Sequence, residues 1–200
     1  MKLSCCLTVK SHPELDAIRS GIRTTASELK RCVLSKNRGL GKTLNDGLNY
    51  CSHEWVFRMD TDDICLPERF EKQVAFIEQN PDTIIFGGQI AEFGQNIQDI
   101  VAYRNVPTKA EEIVKFTRLR CPFNHMTVAY KKSAVQACGG YQDLQEDYNL
   151  WVKMVANGNN VANLADLLVY ARVGNGMVSR RHGWNYFKKR MAFNEAEKRM

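Results

Sequence analysis

Apolar residues recur along this chain in two rhythms that alternate with each other. Short runs of β-branched, aromatic and aliphatic residues, at Leu3 to Val9, Cys32 to Leu34, Trp55 to Met59, Ile84 to Phe86, Met126 to Tyr130 and Val161 to Arg172, predict strands. Between them apolar residues return at helical spacing: Leu15, Ile18, Ile22 and Leu29 after Pro13, then Leu40, Leu44 and Leu48, then Phe70, Val74 and Ile77 between Pro67 and Asn80. Further helices are predicted over Ala110 to Leu119, over Lys131 to Ala137 ahead of Gly139-Gly140, and over Tyr141 to Met154. Ala91 to Pro107 breaks both rhythms, as a hairpin or a loop over strand ends would, and Gly87-Gly88 marks a bend or a close backbone approach. Strands alternating with helices predict an α/β fold with a mostly parallel sheet. A chain of 200 residues suits a single domain with a core of its own.

Composition narrows the class without choosing a function. With 44% apolar and 25% charged residues the sequence has the make-up of an ordinary globular protein. The net charge of +6 suits anionic ligands or an acidic membrane surface and is too weak to indicate nucleic acid. Seven cysteines, without a C-x-x-C pair, predict reduced thiols in a cytoplasmic protein rather than a disulfide framework or a zinc site. No run reaches the length of a membrane span, and Met1 to Lys10 lacks the long apolar segment of a signal peptide.

Chemistry concentrates where the Trp55 strand ends, in WVFRMDTDDICLP. Asp60, Asp62 and Asp63 sit at a strand's C-terminal end, the edge where ligands bind in open α/β sheets. Crowded carboxylates repel, and a divalent cation relieves them. Asp60 and Asp62, two apart in extended backbone, would share a face and could approach one hard ion together. Glu146 and Asp147 form a second acidic pair, in a helix's first turn. There the helix dipole alone could account for them, but a carboxylate free to take a proton beside a metal site is what group transfer needs. His125 in PFNHM is a candidate for substrate contact, set against the ordinary reading of a lone histidine as core or surface. A nucleophile pair of His125 with Cys121 is disfavoured.

Two further stretches admit more than one reading. Gly39 to Thr43, GLGKT, imitates a phosphate-binding P-loop but has Lys36 where that loop needs its first glycine. The alternatives are a tightly packed helix start, or a nucleotide site lined by Asn37, Arg38 and Gly39. Arg180 and Arg181, after Gly174 and Gly176, could close on a diphosphate with paired guanidinium bonds, or could simply begin a solvated helix. That basic helix, to Met200, carries Trp184, Phe187 and Met191 on one face. Packing on its own domain is favoured over peripheral contact with an anionic membrane.

Five segments, in order, resemble the family 2 glycosyltransferases of the GT-A fold, and in particular bacterial enzymes of polysaccharide and lipopolysaccharide biosynthesis. They are NRGLGKTLNDGL from Asn37, RMDTDDICLPERFEKQ from Arg58, PFNHMTVAYKKSAV from Pro122, GGYQDLQEDYNLW from Gly139 and YARVGNGMVSRR from Tyr170. The resemblance implies a nucleotide-diphosphate sugar donor, a UDP-sugar first among them, and a saccharide or lipid-linked acceptor. It implies Mn²⁺ or Mg²⁺ on Asp60 and Asp62, with Asp62 the more direct ligand, and Asp147 as the base that deprotonates the acceptor hydroxyl, Glu146 beside it. It divides the chain into a best-matching part, 37–181, a nucleotide half shortened to 1–36, and a basic helix over 182–200. Family members open with a strand, a helix and a second strand ending in an Asp-Asp-Gly-Ser type turn, which has no counterpart here. The alternative is therefore a shortened, non-catalytic relative that acts by binding only or is inactive, with a P-loop-like NTPase less favoured.

Overall fold

The computed structural model describes residues 3–8, 38–142, 146–158 and 160–174. The helix expected after Pro13, the strand at Cys32, Asn37, Arg180, Arg181 and the basic C-terminal helix lie outside the described residues. Strands β1 (Leu3–Thr8), β2 (Trp55–Asp60), β3 (Ile64–Cys65), β4 (Ile85–Phe93), β5 (Ile100–Arg104), β6 (Ala129–Lys131) and β7 (Val161–Arg172) form one sheet. Its order is β1-β2-β6-β4-β7-β3, with β5 added on β4. Helices α1 (Leu40–Tyr50), α2 (Arg69–Gln79), α3 (Ala110–Thr117), α4 (Lys132–Ala137) and α5 (Glu146–Ala156) flank it.

The sheet corrects the expectation of a mostly parallel arrangement. β1 with β2 and β4 with β7 are parallel, whereas β2 with β6, β6 with β4, β4 with β5 and β3 with β7 are antiparallel. The cause is β6, a three-residue strand wedged between β2 and β4 and running against both. The irregular stretch after Ala91 resolves into the hairpin of the two readings, with β4 extended to Phe93 and β5 returning beside it. The strand expected from Met126 begins later, because His125–Thr127 is a 3-10 turn.

Alternation along β2 assigns its side chains to two cores. Trp55 and Phe57 pack with Ile77 of α2, Phe86 and Ala129 on one face. Val56 packs on the other with Leu44 and Leu48 of α1, Ile113 of α3, Val135 of α4 and Leu150, Trp151 and Met154 of α5. The period of two therefore points Arg58 and Asp60 toward the face that carries α1 and α5. Behind them a buried chain of bonds fixes β2: Arg69 donates through Nη2 to the Arg58 carbonyl at 2.8 Å and through Nε to Gln73 at 2.9 Å, and Gln73 donates to the Thr127 carbonyl at 2.9 Å. Gly87 and Gly88 do mark a close approach. Their amides donate to Asn163 Oδ1 and Thr127 Oγ1, each at 3.0 Å, and a Cβ on Gly87 would lie 2.8 Å from Thr127 Oγ1.

Candidate active site

β2 ends at Asp60, and the turn that follows, Thr61 to Asp63, is strapped to the end of β7. The Arg172 amide donates to Asp63 Oδ1 at 2.9 Å, its Nε donates to the Asp62 carbonyl at 3.3 Å, and its guanidinium lies 4.6 Å from the centre of the Phe93 ring. β3 continues the strap by pairing with Val169 and Tyr170. The end of β7, with Arg172 braced on Phe93 of β4, thus fixes the acidic turn at the sheet's edge, and Arg172 is a member that the sequence pattern did not single out.

Asp60 and Asp62 are treated differently by this geometry. Asp60 accepts two parallel bonds from Arg58, Nη1 to Oδ2 at 2.6 Å and Nη2 to Oδ1 at 2.5 Å, a charge-assisted fork of the strong kind. Arg58 is only 2% exposed. Asp62 is exposed. Asp63 is part-buried, and its Oδ2 has no partner among the described residues. Burial pushes the Asp63 carboxyl up to about 7; the Arg172 amide opposes this, and the charges of Asp60 and Asp62 add to it.

The second acidic pair opens α5. The helix begins at Glu146, so both acids occupy its first turn, where the dipole favours negative charge. Asp147 Oδ1 accepts the Tyr148 amide at 2.8 Å, and Oδ2 lies 3.3 Å from His125 Nδ1. Burial opposes ionisation of Asp147, but the bond and charge of His125, the Tyr148 amide and the charge of Arg58 outweigh it and hold the carboxyl well below the usual carboxylate range. The side chain keeps 34% of its exposure, so it is both ionised and reachable. His125 is 11% exposed and packs against Tyr141 and Trp151, with its Nε2 buried and without a partner among the described residues. The structure thus sets His125 against the candidate base. Cys121 is pushed up to about 12 by burial, with Asp147 adding, which leaves no thiolate for a nucleophile pair.

Arg58 links the two clusters. Its charge acts on Asp60 through direct bonds, and more weakly on Asp63 and Asp147 through space, so the acids from β2 and from α5 lie in the field of one guanidinium. No carboxylate motif in the sequence announces such a residue; its only signal is a cation in a buried strand, where a charge needs a partner.

The Gly39 to Thr43 segment is a packed helix start and not a P-loop. A Cβ on Gly41 would come within 2.7 Å of the Gln142 carbonyl, and Thr43 turns its hydroxyl back to the Gly39 carbonyl at 2.8 Å. The glycine therefore serves contact with protein. Arg38 bonds Asp46 at 3.1 Å, and Gly39 adopts φ 89° at the helix N-terminus. Beside Gly41 another connection joins α1 to the α5 region. Asn45 donates to the Tyr141 carbonyl at 2.7 Å and accepts the Tyr141 amide at 2.8 Å, closing on the loop as a strand partner would.

Residues 11–139 match the family described as Glycosyl transferase family 2. The chain belongs to that family. It is 69% identical over 176 residues to an uncharacterized glycosyltransferase of Haemophilus influenzae, covering 88% of this chain and 66% of that protein. It is 46% identical over 157 residues to the amylovoran biosynthesis glycosyltransferase AmsE of Erwinia amylovora, covering 78% and 58%. Identity is 41% over 160 residues to the UDP-Gal:alpha-D-GlcNAc-diphosphoundecaprenol beta-1,3-galactosyltransferase of Escherichia coli, covering 79% and 58%. The chain thus spans somewhat under two thirds of the length of these three relatives. Among solved structures, that of S. aureus TarS 1-349 with UDP-GlcNAc superposes with a TM-score of 0.65 at 20% identity, over 92% of this chain and 54% of that one. The mannosyltransferase PcManGT of Pyrobaculum calidifontis, with GDP-Man and Mn²⁺, superposes with a TM-score of 0.61 at 15% identity, over 88% and 50%. These likenesses establish the GT-A-like fold for the chain.

A hard cation fits a part of the donor set. Among the described residues no three His, Cys, Asp or Glu side chains converge to cage an ion. Asp60 has both oxygens committed to Arg58, which leaves the exposed Asp62 and the orphaned Oδ2 of Asp63 beside it. An ion held by one or two carboxylates, with phosphate oxygens and waters completing six ligands, suits that set.

Proposed function

We propose that this chain carries the core of a metal-dependent, inverting glycosyltransferase that moves a sugar from a UDP-sugar to a saccharide or lipid-linked acceptor in cell-surface polysaccharide biosynthesis. The observation that carries it is the placement of Asp147, ionised and part-exposed, in the field of the same guanidinium that holds Asp60 of the strand-end acids. One set of acids is then free to hold charge on the donor side while the other takes a proton on the acceptor side. The names of the 41% identical galactosyltransferase and of the structures with UDP-GlcNAc and GDP-Man support a nucleotide-sugar donor, and the former supports a lipid-diphosphate acceptor.

In this reading Asp147 accepts the proton of an acceptor hydroxyl. The oxygen attacks the anomeric carbon from the side opposite the diphosphate, the bond from that carbon to the diphosphate oxygen breaks with its electron pair, and the configuration inverts. His125 holds the Asp147 carboxylate from one side and the Tyr148 amide from the other, which leaves the remaining direction for the hydroxyl. Asp62, with Asp63 next to it, would hold Mn²⁺ or Mg²⁺, which when bound supplies positive charge to the departing diphosphate. Glu146 stands at the α1 side of the same helix turn, its Cβ near Gly41, where it can contact substrate. Arg38, Gly39 and Asn37 are assigned to the nucleotide side, and Arg180 and Arg181 to the diphosphate. We place the protein in the cytoplasm, at the inner face of the membrane, where a lipid-linked acceptor is reached; no helix among the described residues is long and apolar enough to cross a membrane.

Transfer from radiolabelled UDP-sugars to a lipid-diphosphate-linked N-acetylglucosamine, with Mn²⁺ present, tests the assignment. Asp147→Asn is expected to lower kcat by roughly 10²–10⁴ at nearly constant KM for the donor. Asp62→Ala is expected to abolish transfer and weaken UDP binding. Full turnover in either variant removes the corresponding role, and UDP binding without transfer from any donor favours the non-catalytic relative.

A further inference from the structure

We propose that Arg58 is a resident cation of the crevice, which occupies Asp60 while the donor is absent and thereby makes divalent-ion binding conditional on a nucleotide diphosphate. The inference rests on reading this crevice as a metal and nucleotide site. Its basis is geometric. Arg58 is buried, its two terminal nitrogens close on both Asp60 oxygens, and its carbonyl is pinned by Arg69 Nη2 at 2.8 Å, so the guanidinium is presented from a fixed backbone. Arg58 Nε has no partner among the described residues, so Asp60 is the acceptor that balances this buried charge there. An ion seeking Asp60 must displace a two-bond fork and leave a buried guanidinium without a hydrogen-bonded carboxylate, its charge then met through space by Asp63 and Asp147.

The consequence follows from the ligands that remain. Without nucleotide, the ion finds Asp62 and Asp63 alone, too few oxygens for tight binding of Mg²⁺ or Mn²⁺. A diphosphate brings further oxygens and negative charge, and completes the shell without drawing on Asp60. The fixed charge of Arg58 also repels a bare cation, and that repulsion is offset when the anionic nucleotide enters with it.

The free-ion signal of Mn²⁺ in electron paramagnetic resonance, corrected by a protein-free titration for Mn²⁺ chelated by UDP itself, reads this without any turnover. UDP is expected to tighten Mn²⁺ binding to the unaltered chain at least tenfold. Arg58→Met frees Asp60 and is expected to tighten Mn²⁺ binding without UDP by tenfold or more, shrinking the UDP effect. Arg58→Lys keeps the charge but loses the fork, and is expected to fall between the two. Melting curves show whether each variant is folded; should Arg58→Met not fold, Arg58→Lys and the unaltered chain decide. A folded Arg58→Met or Arg58→Lys chain with unchanged or weaker Mn²⁺ affinity overturns the proposal. So does equal Mn²⁺ affinity with and without UDP in the unaltered chain, an outcome that leaves the transferase reading to its own transfer assay. No Mn²⁺ binding in any chain, with or without UDP, overturns both.

Discussion

At the scale of single residues, the three strand-end aspartates are chemically distinct although adjacent in sequence. Asp60 is neutralised by Arg58, Asp62 faces solvent, and Asp63 is partly sealed with one oxygen bonded to the Arg172 amide and the other unpartnered among the described residues. The raised proton affinity of Asp63 has a sign that can be measured. Between its usual value of 3.8 and the native value of about 7, the folded chain keeps a proton that the unfolded chain has released. Stability therefore falls as pH rises through that window and levels off above it. The full effect for a sealed group would be about 4 kcal/mol, and partial exposure reduces it to about 1–2 kcal/mol. Asp63→Asn keeps an oxygen for the Arg172 amide and removes the titration. In chelator, it is expected to melt above the unaltered chain at pH 8 and close to it at pH 5, as seen by differential scanning calorimetry. Equal melting temperatures at both pH values would contradict the assignment.

At the scale of elements, α1 and α5 are joined by an amide and two glycines. Asn45 reads both backbone groups of Tyr141, Gly140 leaves room for Asn45, where a Cβ would come within 2.6 Å of its Oδ1, and Gly41 leaves room for Gln142. Tyr141 in turn stacks on His125, which bonds Asp147, so the helix start that resembles a P-loop positions Asp147 from a distance. Asn45→Ala removes two bonds to a part-buried backbone and is expected to cost about 2–3 kcal/mol by denaturant unfolding, and to lower kcat more than the KM for the donor. A loss below about 0.5 kcal/mol would show that the loop is held by other means. Much of this level was legible in the sequence: the 3.6-residue rhythm located α1, α2 and α5, and the apolar run located β2 with its acids at the end. What the rhythm could not give was partnership across the chain. Nothing in Asn45 marks Tyr141 as its target, and β6 is too short, and too close to a 3-10 turn, for its antiparallel direction to be read from alternation. Arg58 was hidden for a related reason, since a single charge in an apolar run carries no period.

At the scale of the whole molecule, the sheet order does the joining. β2 ends in the first acids, β6 lies between it and β4, and α5 packs on the face of β2 from which Arg58 and Asp60 project. Residues 87 positions apart, Asp60 and Asp147, are thereby brought under one buried charge. The resemblance to family 2 glycosyltransferases located both acids and their order along the chain, and family membership and the GT-A-like fold agree with it. What the structure adds is the partner of each acid, Arg58 on Asp60 and His125 on Asp147. The most direct test of a single shared crevice is paramagnetic broadening by Mn²⁺ in the presence of UDP, followed residue by residue in the ¹⁵N–¹H spectrum. Amides at residues 60–63 and 146–148 are expected to broaden together at substoichiometric Mn²⁺, with those around Asp82, on the turn after α2, unaffected. Broadening at the first cluster alone, with 146–148 unchanged, would contradict it.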